Sequence, residues 1–112
     1  MRMIEVSMGD FIDRHSILRI KAEEGLNVKK EIKQYDKGAD ANQGYEYFLN
    51  ILTSINRQLW ILEDRKRKGV KRYTEEESDV AFLITELNDL RFRAKKAADK
   101  YFMSTITEEK SH

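Results

Sequence analysis

The sequence predicts an all-α protein, an up-down-up antiparallel three-helix bundle with long helices that assembles as a dimer or higher oligomer. Three observations lead to the bundle. The 112 residues contain no proline, which removes the strongest helix breaker. Apolar residues recur in alternating steps of three and four, the period of a one-sided helix. Turn-forming composition gathers at residues 38–44 and again at Gly69, and divides the chain in three.

Met1 to Ser7 alternate loosely and read as an extended lead-in. Ser7 and Asp10 stand three apart, the spacing of a capping box. The first helix is expected from Met8 to Asp36. Phe11, His15, Leu18 and Ala22 share one stripe, and Ile17, Glu24, Val28, Ile32 and Tyr35 continue on a neighbouring one. Gly25 weakens this helix by up to ~1 kcal/mol relative to Ala and is the place for a bend. Gly38 to Gly44, GADANQG, reads as a turn.

The second helix carries Tyr45, Phe48, Leu52, Ile55, Leu59 and Leu62 as its seam. It ends near Lys68, with Gly69 as a left-handed cap. Thr74 and Glu77 form a second capping box. The third helix follows, with Val80, Leu83, Leu87, Leu90, Ala94, Ala97 and Tyr101 as its seam; the small residues at 94 and 97 imply a close helix approach. Residues 1–103 make a single domain, and 104–112 read as a flexible tail. Helices of ~25–29 residues span about 40 Å. Trp60, Ile61, Phe82, Phe92 and Phe102 fall off the seams, which argues for a second buried face and a homo-oligomer.

Composition bounds the function. The chain is 40% hydrophobic and 37% charged, with 21 Lys and Arg against 20 Asp and Glu. The signs interleave, as on a solvated helical surface. A net charge of +1 removes the simplest case for a general nucleic-acid binder. No apolar run is long enough to span a bilayer and no signal sequence opens the chain, so a cytoplasmic protein without membrane association is expected. Zero cysteine excludes disulfides, thiolate zinc sites and cysteine nucleophiles.

Polar residues beside the seams carry the functional reading. Asp10, Arg14, Lys21 and Glu24 lie on one line of the first helix around Ile17, with Asp13 beside it. The second helix carries Asn56, Trp60 and Glu63, adjoined by Asp64. The third carries Asn88, Arg91 and Lys95, with Glu86 and Asp89 alongside. Counting outward from the turns places these lines in the middle third of the bundle, where bundles build ligand clefts. Solvated i to i+4 ion pairs are the competing reading.

His15 and Ser16 are sequence neighbours and face different directions, so they make no catalytic triad. The cationic groups Arg14, Lys21, Arg91 and Lys95 suit a phosphate or carboxylate. Trp60 offers a flat face to a base, and Asp13, Asn56, Glu63, Asn88 and Asp89 are the orienting groups. No catalytic residue, cofactor or resident metal is assigned. Should Mg²⁺ bind, the ligands are Glu63, Asp64, Glu86 and Asp89.

Three segments, VSMGDFIDRHSILRIKAE (6–23), INRQLWILEDRKR (55–67) and LNDLRFRAKKAADKYF (87–102), resemble the motifs of a small family of unknown function found in bacteria and phages. The chain departs from that pattern at His15 and Phe92. The resemblance implies a polar signature of Asp13, Lys21, Trp60, Glu63, Asp64, Asn88, Asp89, Arg91 and Lys95. It brings no reaction with it.

The reading that results is a non-catalytic binding protein for a small anionic, nucleotide-like ligand. In a virus one use would be to sequester a host nucleotide signal, with pockets at subunit interfaces. Two alternatives stand beside it. An adaptor would use Arg65, Lys66, Arg67, Lys68, Lys71 and Arg72, with Tyr73 adjacent, to bind nucleic acid or an acidic protein. A Mg²⁺-dependent nucleotide pyrophosphohydrolase would use Glu86-x-x-Asp89, although the Glu-x-x-Glu half of that pattern is missing.

Overall fold

The computed structural model describes residues 7–39 and 43–110, with side chains for 7–39 and 43–103. The expected lead-in before Ser7 and the middle of the 38–44 turn lie outside the described residues. The fold is all-α, with α1 at Met8–Glu23, α2 at Lys29–Gly38, α3 at Gln43–Arg67 and α4 at Glu75–Lys110. Among the described residues there is no strand, and no helix is long and apolar enough to cross a membrane.

Both capping sites form. The Asp10 N–H donates to Ser7 Oγ at 3.1 Å. The Glu77 N–H donates to Thr74 Oγ1 at 3.3 Å, while the Glu77 carboxylate accepts the Tyr73 N–H at 3.1 Å. Gly69 takes the expected positive φ, 108°, after α3. α4 continues to Lys110, past residue 103 where the third helix was expected to give way to a tail.

The single first helix expected over 8–36 is two helices. Gly25 has φ 83°, and the chain around it closes α1 with paired end bonds. The Leu26 N–H donates to the Lys21 carbonyl at 2.9 Å and the Gly25 N–H to the Ala22 carbonyl at 3.1 Å. That is the Schellman arrangement, in which a left-handed residue satisfies carbonyls that have no partner further along the helix. The glycine is therefore a stop, not a weak point inside a helix. The chain then reverses: α2 returns along α1, with the Phe11 and Tyr35 rings stacked at 4.7 Å and His15 bonded to Asp36.

This reversal changes the topology from the one expected. α2 packs on α1, and α1, α3 and α4 pack on one another. His15 meets Tyr45 and Glu23 meets Arg57, so α1 and α3 run parallel. Gly9 meets Asp99 and Asp13 meets Arg91, so α4 runs antiparallel to α1. An uninterrupted first helix would have given the opposite directions.

The core has two parts. Ile12, Tyr45, Phe48, Leu49, Leu52, Ala98 and Phe102 form one cluster, and Ile55, Leu59 and Leu87 the other. On α3 the expected seam is the buried one. On α4 it is buried in part: Val80, Leu87 and Ala94 face inward, whereas Leu83 and Leu90 are about half exposed, and Ala97 and Tyr101 are also exposed. The inward stripe is Val80, Ile84, Leu87, Arg91, Ala94, Ala98 and Phe102. A stripe containing an arginine looks less apolar than its neighbour, and the charge is compensated only in three dimensions. Phe102, expected off the seam, is core, while Ile61, Phe82 and Phe92 lie off the buried stripes as expected and are exposed.

The start of α1 lies directly on α4. The Gly9 N–H donates to Asp99 Oδ1 at 2.6 Å, which satisfies one of the helix-end donors. A Cβ at Gly9 would collide with the Lys95 backbone carbonyl, whereas one at Gly25 meets nothing within 4 Å. Gly9→Ala should therefore cost about 2–3 kcal/mol by overpacking, and Gly25→Ala about 1 kcal/mol from the left-handed backbone alone. Urea unfolding of the two variants checks the order; equal losses would show that α1 and α4 tolerate separation at Gly9.

Candidate functional site

Three helices converge on one nearly sealed carboxylate. Asp13 is only 3% exposed. Its Oδ1 accepts from Arg91 Nε and Asn56 Nδ2, both at 2.9 Å, and its Oδ2 accepts from Arg91 Nη2 at 2.6 Å. Asn56 gives its other N–H to Ser16 Oγ at 2.8 Å, and the Ser16 hydroxyl donates to the Asp13 backbone carbonyl at 2.6 Å. Buried charge survives only when paired and hydrogen-bonded in this way. The carboxylate in turn holds the Arg91 guanidinium above its ordinary pKa, chiefly through the hydrogen bond.

Beside this network lies a groove of about 360 Å³, lined by Ile17, Ile20, Asn56, Leu59, Trp60, Glu63, Arg67 and Arg91. Asp13, Asn56, Trp60, Glu63 and Arg91 are thus brought together as expected, with Asp13 behind Arg91 and not facing the groove. Arg14 and Lys21 are elsewhere. They line a second groove of about 320 Å³ between α1 and α2, with Glu31, Gln34 and Tyr35. Ile17 borders both grooves. Lys95 pairs with Asp10 at 2.7 Å, and that hydrogen bond lowers the Asp10 pKa. Asn88 and Asp89 are exposed on α4, outside the Trp60 groove.

The carboxylates considered for Mg²⁺ stand apart. Glu63 borders the Trp60 groove, while Asp64 pairs with Lys68 at 3.0 Å and more distantly with Arg67. Glu86 and Asp89 are exposed on α4. Among the described residues no three His, Asp or Glu side chains gather as a metal group.

Sequence reasoning missed Ser16 and assigned Arg67 to the basic stretch alone. It also missed a second buried polar cluster. His15 is 1% exposed. Its Nε2 lies 2.7 Å from Asp36 Oδ1 and its Nδ1 lies 2.6 Å from the Tyr45 hydroxyl. A carboxylate only accepts, so Nε2 carries the proton, and the neutral ring then accepts the Tyr45 O–H at Nδ1. The signal available was a histidine on the apolar stripe of Phe11 and Leu18, but its partners come from α2 and α3. Burial raises the Tyr45 pKa; it lowers that of His15, where Arg19 also lowers it and Asp36 and Glu46 act to raise it.

Comparison with known proteins returns no match among family models, curated proteins or solved structures.

A pH dependence follows from His15. The folded protein binds this proton less readily than the unfolded chain, whose imidazole titrates near 6.5. The stability it contributes is complete above that value and is lost as pH falls below it. The melting temperature should drop by a few degrees between about pH 7.5 and pH 5.5, and His15→Gln should flatten that dependence. A slope unchanged in the variant would assign the effect to other groups.

Proposed function

We propose that the chain is a non-catalytic binding protein for a small anionic, nucleotide-like ligand held in the groove beside Trp60. The observation that carries this reading is the state of Arg91. Asp13 clamps the guanidinium through Nε and one Nη2 proton, and its remaining N–H groups are left for the groove that Arg91 lines. A cation fixed before the ligand arrives loses little rotamer freedom on binding.

Arg67 adds a second cation to the groove, and Trp60 supplies a face for a base. Asn56 gives both N–H groups to Asp13 and Ser16, so its contribution to a ligand is the carbonyl oxygen. A ligand longer than the groove would cross Ile17 and place further anionic groups near Arg14 and Lys21. The motif resemblance supports the same reading, since several residues it marks fall on this groove. In the same proposal the protein works in the cytoplasm as a homo-oligomer, because Ile61, Phe82, Leu83, Leu90 and Phe92 are left exposed. Sequestering a host nucleotide signal is the use that a viral source would favour.

The basic stretch supports a second reading, an adaptor for nucleic acid or an acidic protein. Arg65 pairs with Glu76, and Arg67 and Lys68 with Asp64. Lys66, Lys71 and Arg72 have no ion-pair partner among the described residues. Beside them Tyr73 is 93% exposed at φ 63°, a conformation uncommon for a non-glycine residue. Binding through this stretch should collapse as salt rises, whereas an enclosed small-molecule site loses less.

The test is native mass spectrometry of the freshly purified protein, followed by calorimetric titration with AMP, ADP and pyrophosphate. Trp60→Ala and Arg67→Ala should each weaken binding at least tenfold while the fold is kept. Arg91→Ala should instead destabilise by about 3 kcal/mol, because it leaves Asp13 buried without its partner. No retained mass together with no heat from any of the three probes would remove the reading.

A further inference from the structure

The exposed side of α4 carries a pattern that the fold does not use. Leu83, Leu90 and Ala97 recur at seven-residue intervals, which places them on one face. Leu83 is 47% and Leu90 48% exposed, and Ala97 is exposed as well. Another heptad position beside them reads Asp79, Glu86, Arg93 and Lys100, two acids followed by two bases. All four are exposed, and among the described residues none takes part in an ion pair.

The pattern is its own complement when reversed. Leu83 and Ala97 lie seven residues on either side of Leu90, and Glu86 and Arg93 flank it, with Asp79 and Lys100 beyond. We propose that α4 pairs antiparallel with α4 of a second copy of this chain across a two-fold axis at Leu90. Leu90 then meets Leu90, the large Leu83 meets the small Ala97, and each acid faces a base. A parallel pair would set Glu86 against Glu86 and Arg93 against Arg93, which repel. Residues 79–101 span ~35 Å at the helical rise, so two such faces cover roughly 700 Å² per chain, close to the ~800 Å² of a stable interface. This rests on the reading above that the chain self-associates, and adds which face does so and in which direction.

The experiment is sedimentation equilibrium of the full chain with two exposed-residue variants, E86R and R93E. Each reversal sets like charges against each other twice in a symmetric pair, so each should weaken the dimer at least tenfold. An equimolar mixture of the two should regain it, because Arg at 86 and the native Arg93 of one chain then face two glutamates of the other. Orientation is read separately in this cysteine-free chain: oxidised L90C should cross-link to itself, and L83C only to A97C. A wild-type monomer at ~100 μM, well above the Kd of a stable interface, overturns self-association as a whole. A wild-type dimer indifferent to both reversals, or L83C linking to itself, overturns this face and direction alone.

Discussion

The structure depends on what is done with the carboxylate of Asp13. It sits on α1 among apolar groups, and no charge stays there uncompensated. Its partners come one from each neighbour, Arg91 on α4 and Asn56 on α3. Sliding any of the three helices by one turn would leave a buried group unmet, so the network acts as a register pin. An apolar replacement of similar volume could be as stable, but it would say nothing about which turn faces which. The rest follows from that register. Gly9, one turn before Asp13, comes against the α4 backbone, and Ile17, one turn after it, forms the ridge between the two grooves.

The helices and their caps were legible in the sequence because they are local. Ser7, Gly69 and Thr74 act on backbone groups within a few residues, and composition reports such effects directly. The α3 seam was legible for a related reason: its stripe from Tyr45 to Leu62 is apolar almost without interruption. Gly25 is the ambiguous position. A glycine within a periodic stretch reads equally as a tolerated weak point or as a stop, and the period resumed after it. The second reading was the right one, and with it the relative directions of α1, α3 and α4 changed.

The inner face of α4 shows where pattern reading fails. Val80, Leu87 and Ala94 belong both to the expected seam and to the buried stripe, but Leu83 and Leu90 face out while the inward positions include Arg91. Its charge is acceptable only because Asp13 stands opposite, 78 residues away in the chain. The candidate site has the same history. Residues chosen because they were polar and next to a seam do converge, but not all on one surface, and several are occupied with one another. Asp10 and Lys95 neutralise each other, Arg14 and Lys21 border the α1/α2 groove, and Asn88 and Asp89 are exposed and do not line the Trp60 groove. Height along the bundle was estimated fairly well, while the side of each helix was not, since side depends on the topology that Gly25 decides.

The contact between Gly9 and Asp99 joins groups 90 residues apart. During synthesis α1 emerges well before the acceptor on α4. Until α4 has left the ribosome, the first turn of α1 must find its partners in water, and Asp13 must stay solvated. The first turns of α1 are therefore settled by α4, and non-local closures of this length are slow to reach. α1 is therefore secured only after α4 has been made, although it precedes α4 in the chain.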